Sequence, residues 1–235
     1  MKLKIITLIL MLTITKIFSQ EYYIELKNGY KTKTEKLRYV NNNKIIAFQD
    51  VNGIHKVKRN EVKIIKPTKL PKDKFVYNQL GLTPFVVVEF DSIPKKELYR
   101  LIKNWIKEKY KNPDKVIKAE IDNKKIRFEG YTDSDISIRG LGNDIYGGYN
   151  YTIVISVKDN KYKFEPIELN SISGLENYSV PLRDGSKYFN NIGIPRNTFV
   201  KFVKQVGQLF EDLNQSLKNY IIKNYGKKDN NDDDW

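Results

Sequence analysis

The sequence predicts an α+β protein: an antiparallel sheet with two helices on one face, preceded by a small all-β, barrel-like module. Three observations predict it. Five short strand-like runs, separated by Asn, Asp and Gly turn signals, fill residues 22–66. From residue 83 the order is strand, helix, four strands, helix. Residues 196–226 keep one long helical repeat of apolar positions.

The N-terminal segment "MKLKIITLILMLTITKIFSQ" has a basic start at Lys2 and Lys4, an apolar stretch from Ile5 to Ile14, and a polar end at Ser19. That is the anatomy of a secretory leader, with cleavage expected after Ser19. The apolar run is shorter than the roughly 20 residues a membrane span needs. The chain has no Cys, so neither a lipid-anchored cysteine nor a disulfide nor thiolate chemistry is expected. Without the leader, 39 cations face 28 acids, a balance of +11, where the whole chain carries +14. Only seven of the 42 cations are Arg, and Ala occurs twice, so the lysine excess follows an A/T-rich codon bias. It reads first as a solvated surface, because phosphate recognition favours the guanidinium fork.

The module at residues 20–66 is built from "YYIEL", "EKLRYV", "KIIAF", "IHKVK" and "EVKIIK". Asn28-Gly29, the Asn41–Asn43 cluster and Asp50 to Gly53 supply the turns. Its "LKNG … V … I-I-F … G … V" layout loosely resembles a small Sm-like β-module. "KPTKLPKDK" has two prolines and four lysines, so residues 67–82 read as a solvated linker.

"PFVVVEF", Pro84 to Phe90, reads as a central strand covered on both faces. The helix "ELYRLIKNWIKEKY" follows. On a helical wheel, Leu98, Tyr99, Leu101, Ile102, Trp105, Ile106 and Tyr110 fall within one half, so Trp105 faces the sheet. Lys96, Arg100, Lys103, Lys107 and Lys111 line the opposite half with no acid among them, a candidate anion-contacting face. "VIKAEI" and "KIRFEG" flank Asp122-Asn123 as one hairpin; "YNYTIVISV" and "KYKFEPIEL" flank Asp159-Asn160 as another. In the latter, Tyr149, Tyr151, Ile153, Ile155 and Val157 share a face. The last helix is expected to start at Asn197 or Thr198 and to stop at Gly226, before a polar, acidic tail at 227–235.

The stretch "TPFVVVEF…KKELY…WI…VI…FEG" and the hairpin "Y-x-Y-x-I-x-I-x-V-K-D-x-K-Y-K-F" together resemble an exported bacterial family, a domain of unknown function with a TATA-binding-protein-like fold. The resemblance covers about Thr83 to Leu169 and implies a β-α-β-β-β-β-α sheet over residues 83–226 and an exported location. It implies no activity and supplies no functional residues. A fold of this name does not carry DNA binding with it. Minor-groove wedging needs exposed aromatics on the sheet, and Tyr149 and Tyr151 read as core, so nucleic acid is not an expected partner.

No strong catalytic constellation is present. His55 is the one His and reads as an incidental surface residue. Asp133-Ser134-Asp135 lacks the Gly and Glu of a calcium loop, and "RGLGNDIYGGY" reads as a flexible hairpin tip. No cofactor or metal is expected. Residues 170–195 read as a long loop in which Arg183, Asp184, Tyr188 and Phe189 are a candidate partner surface; the plainer alternative packs Leu175, Val180 and Ile192 onto the sheet. The expected function is a non-catalytic exported envelope protein that binds a partner protein or an envelope polymer. Two alternatives stand beside it: a module associating with anionic lipid through the lysine stripe, and a hydrolase using carboxylates such as Glu89 or Asp133.

Overall fold

The computed structural model describes residues 20–226 apart from 134, 174 and 175; the expected leader and the acidic tail lie outside the described residues. Six strands form the N-terminal module: β1 (Tyr22–Leu26), β2 (Lys31–Thr34), β3 (Lys36–Val40), β4 (Ile45–Asp50), β5 (Gly53–Lys58) and β6 (Val62–Pro67). They pair as two three-stranded antiparallel sheets, β2-β1-β6 and β3-β4-β5. The run "KTKTEKLRYV" therefore holds two strands, and the chain passes from one sheet to the other at Glu35. Thr34 Oγ1 ties that crossing down by donating to the Gln49 carbonyl at 2.6 Å. The asparagine cluster does what its composition predicts: Asn41, Asn42 and Asn43 all have positive φ, at 51°, 52° and 66°. Asn tolerates that region better than any other residue with a β-carbon.

The segment read as a linker is solvated only in its first half. Phe75 and Tyr77 are buried, and β7 (Tyr77–Asn78) pairs with β8 (Gly81–Leu82). The reason lies at Gly207. A β-carbon there would stand 3.2 Å from Tyr77 N and 3.4 Å from Phe75 O, so the glycine lets residues 75–77 cross the last helix in close contact. Glu211 of that helix accepts from Phe75 N at 2.8 Å.

The larger sheet contains β9 (Val86–Glu89), β10 (Ile117–Ile121), β11 (Lys125–Thr132), β14 (Gly148–Lys158), β15 (Lys161–Ser173) and β16 (Glu176–Ser179). A short hairpin, β12 (Ser137–Arg139) with β13 (Asp144–Tyr146), leaves it between β11 and β14. The order is β10-β11-β14-β15-β16, with β9 beside the other end of β15 and every pairing antiparallel. β9 is thus an edge strand, not a central one. Val86 and Val88 point inward, while Val87 is 41% exposed, because only one face of the sheet is covered. Asn123 and Asn160 close the two predicted hairpins at φ 56° and 63°.

Helix α1 (Lys95–Lys109), the single turn α2 (Pro113–Val116) and helix α3 (Val200–Asn224) complete the fold. α1 and α3 cover the face that carries Tyr149, Tyr151, Ile153, Ile155 and Val157. Trp105 is 3% exposed, edge-on to Phe128 at 5.9 Å, and its Nε1 donates to Ser216 Oγ at 3.2 Å. A 3-10 turn at Asn197–Phe199 precedes α3, whose start has no side-chain cap. Gly226, at φ 80°, ends it as expected.

Candidate functional site

The lysine stripe of α1 is only half available. Arg100 is engaged by Glu97, with Nη2 2.7 Å from one carboxylate oxygen and Nε 2.9 Å from the other. Lys103 lies 3.0 Å from Glu120, which β10 presents to the helix side. The Lys103 ammonium, with the Tyr99 hydroxyl, keeps the Glu120 carboxyl below its ordinary range against the cost of desolvation. Lys96, Lys107 and Lys111 remain exposed. The wheel finds no acid because one partner is on the edge of the stripe and the other comes from a strand.

The long loop is mostly structure. Its first part extends β15 and forms β16, and Leu175 lies outside the described residues. Tyr188 is 1% exposed and Phe189 is also buried, so neither offers a partner surface. Tyr188 shares a hydroxyl hydrogen bond with Tyr178, and Lys187 stands 4.3 Å from the Tyr178 ring centre. Arg183 and Asp184 are exposed; Asp184 caps Ser186 N at 2.9 Å. Ile192 enters the core of the small module, not the large sheet, beside Ile24, Leu26, Ile46, Phe48, Val62 and Ile65. Tyr39 donates to the Ile192 carbonyl at 2.7 Å, and Ile65 N to the Asn191 carbonyl at 2.8 Å. This segment fastens the two units together.

His55 is not an incidental residue. Its Nε2 is 2.9 Å from Asp50 Oδ1, and its ring stacks on Phe48 at 4.8 Å. Asp50 also accepts from the Tyr30 hydroxyl and from Asn52 N. The Tyr30 bond foremost holds the Asp50 carboxyl well below the usual carboxylate range, against the opposing effect of burial. The cluster clamps the β4–β5 turn to Tyr30. Glu89 and Asp133, the carboxylates considered for hydrolysis, cannot act as a pair. Glu89 is level with Lys161 at one end of β14, and Asp133 follows Thr132, which pairs with Tyr149 near the other end. The strand between them spans roughly 30 Å, whereas paired glycosidase carboxylates stand about 5–9.5 Å apart. Among the described residues no three His, Asp or Glu side chains gather to hold a metal, and no helix is long and apolar enough to cross a membrane.

A concave site does exist on the small module. A hollow of about 640 Å³ is lined by Lys27, Lys44, Lys58 and Arg59, with no acid among the described residues of its wall. Asn41, Asn60, Asn191, Ile45 and the buried Val62 complete its lining. The β1–β2 turn, the β3–β4 turn and the β5–β6 connection converge there. Backbone bonds fix the first two to the β5–β6 connection: Arg59 N donates to Lys44 O at 2.9 Å and Lys27 N to Glu61 O at 2.8 Å. Asn191 arrives from the segment before α3 and donates to Lys63 O at 3.0 Å. Sequence reading missed these residues because they are scattered over the chain. The available signal was that "KNG", "NNNK" and "KRN" each place a cation beside Asn in a turn, and alternate turns of a meander lie at one end.

Two solved structures are similar to the chain. The crystal structure of a DUF4468 family protein from Bacteroides ovatus ATCC 8483 is 13% identical; the match covers 60% of this chain and 85% of that one, with a TM-score of 0.45. That of a TBP-like protein from Parabacteroides distasonis ATCC 8503 is 20% identical, covering 57% and 91%, with a TM-score of 0.40. No curated protein sequence matches the chain. Residues 85–171 match the family model described as a domain of unknown function, DUF4468, with TBP-like fold, the family that the sequence resembles over Thr83 to Leu169.

Proposed function

We propose that this is an exported, non-catalytic binding protein that holds an envelope polymer in the hollow of its small module. The observation that carries the reading is the set of four cations lining one hollow with no acid among the described residues of its wall. A surface that only kept the protein soluble would gain nothing from fixing like charges around one cavity. The lipid-surface alternative is less well supported, since two of the five stripe cations have partners within the chain. Export rests on the leader-like first nineteen residues.

Two measurements test this. Envelope material from the host bacterium, stripped of lipid by detergent and of protein by protease, should retain the purified full chain saturably, and Lys44→Ala with Arg59→Ala should weaken that retention. Retention that disappears with the lipid or the protein would assign the contact elsewhere. N-terminal sequencing of the protein from the periplasmic or secreted fraction should begin at about Gln20; a cytosolic product that keeps residues 1–19 contradicts export.

A further inference from the structure

Resting on that reading, we infer that the polymer is an acidic polysaccharide, bound across the hollow by Lys27, Lys44, Lys58 and Arg59, and that Asn191 of the larger unit completes the site. Charge sets the sign of the ligand. Four cations around one hollow repel one another, and an anionic chain converts that repulsion into attraction. Size comes next. A lone inorganic anion is not much larger than a water, whose share of liquid volume is about 30 Å³. A hollow of about 640 Å³ falls in the range of sites for extended organic ligands.

The remaining wall separates a sugar chain from other polyanions. An asparagine amide has both donors and an acceptor, which suits the hydroxyl groups of a carbohydrate; Asn191 spends one donor on Lys63 O and keeps the other donor and its acceptor. Ile45, which is half-buried, gives the hollow an aliphatic surface for the C–H face of a sugar ring. Among the described residues no aromatic side chain lines the hollow. Single-stranded nucleic acid therefore finds no stacking platform, and a bilayer finds no Trp or Tyr anchor. The rim is held in advance by the bonds between its turns, so little ordering opposes binding. Asn191 is held the same way, by Lys63 O and Ile65 N.

The test is calorimetric titration of the full chain with polygalacturonate, heparin, neutral dextran, phosphatidylglycerol vesicles, an oligothymidine and inorganic phosphate. The two acidic polysaccharides should bind and weaken as salt rises; the other four should not compete. Lys44→Ala with Arg59→Ala should cost at least about tenfold in affinity, and Asn191→Ala about fivefold. Lys96→Ala, Lys107→Ala and Lys111→Ala together remove more charge from α1 and should leave binding unchanged. All of these side chains are exposed, so circular dichroism should report an unaltered fold. Equal loss in the α1 variant means that net charge alone attracts the polymer, and overturns the site. Preference for vesicles, oligonucleotide or phosphate overturns the ligand class. Failure of both acidic polysaccharides, with retention on stripped envelope intact, overturns this inference and leaves a neutral polymer as the ligand of the reading above. An Asn191→Ala variant of full affinity removes the larger unit from the site.

Discussion

Replacing Ile192 by Ala should loosen the small module and spare the larger unit. Ile192 is 0% exposed and is the seventh member of a core whose other six residues all lie between β1 and β6. A unit as small as Tyr22–Pro67 is marginal by itself, because its surface is large for its volume. Deleting a buried Ile side chain to Ala costs about 2–5 kcal/mol, the upper part where the cavity cannot collapse. Backbone bonds on both sides of Ile192 hold its segment in place, so collapse is restricted. A central value of about 3 kcal/mol corresponds to amide exchange about 100- to 200-fold faster, at tenfold per 1.4 kcal/mol. Hydrogen exchange read by mass spectrometry on the full chain should show this in peptides covering β1, β4 and β6. Urea unfolding followed by tryptophan fluorescence in a Trp235→Phe background, which leaves Trp105 to report the α1 side of the larger core, should shift little. Ile192→Val, at about 0.5–1.5 kcal/mol, should give a graded version of the same pattern. Unchanged exchange in β1, β4 and β6, or an equal acceleration in α1 and β14, would refute the view that this side chain is a plug for the small core.

Three further outcomes follow from buried contacts. Tyr162→Phe removes the donor 3.0 Å from Asn214 Oδ1 in a place where both residues are about 1% exposed, so stability should fall by about 1–3 kcal/mol with an unchanged urea dependence. Gly130→Ala puts a β-carbon 2.3 Å from the Tyr151 ring; the ring must leave, its 2.9 Å bond to the Tyr110 hydroxyl breaks, and about 1–3 kcal/mol is lost, less in a Tyr151→Ala background. Asp50 has a lowered carboxyl pKa in the folded state. Its contribution is therefore complete above the unfolded value of about 3.9 and fades as pH falls from there through the folded value, so Asp50→Asn should flatten the acid limb of the stability–pH profile below about pH 4.

The larger unit was legible because its signals are local. Alternation over Tyr149 to Val157 places the core face whatever packs on it, and Asp122-Asn123 and Asp159-Asn160 specify their hairpins by backbone preference alone. The errors fall where a distant partner decides. Residues 67–82 have the composition of a solvated segment, and only α3, with a gap at Gly207, turns Phe75 and Tyr77 into core. "PFVVVEF" is apolar throughout, but a continuous apolar run cannot reveal how many faces are covered. The helices cover one face of β9 and leave the other open, so Phe85 and Val87 stay exposed while Val86 and Val88 are buried. Asp50 is five residues from His55 across the β4–β5 turn, and the contact that gives the pair its role, the Tyr30 hydroxyl on Asp50, comes from the other sheet and leaves no spacing in the chain.

The same distinction bears on charge. A helix displays its cations at fixed intervals, so the α1 stripe is visible to a wheel, and it was the natural anion face to name. Visibility is not availability: Glu120 is on a strand with a different period, and it takes Lys103 out of the stripe without leaving a trace in the helical pattern. The hollow inverts the case. Lys27, Lys44, Lys58 and Arg59 share no periodicity, and only the convergence of three turns makes them neighbours. Convergent turns are also where side chains contribute least to the core, so nothing in packing requires cations there. Lysines scattered by codon bias alone would be expected to meet acids in proportion to the 28 that the chain holds. They do so along β1, at Glu25, where Lys31 and Lys63 both converge on one carboxylate. Around the hollow none of the four cations forms a salt bridge among the described residues, the adjacent Glu61 carboxylate accepting from Lys58 N at 2.9 Å instead, and that local departure from the mixture elsewhere is what separates a binding surface from a merely basic one.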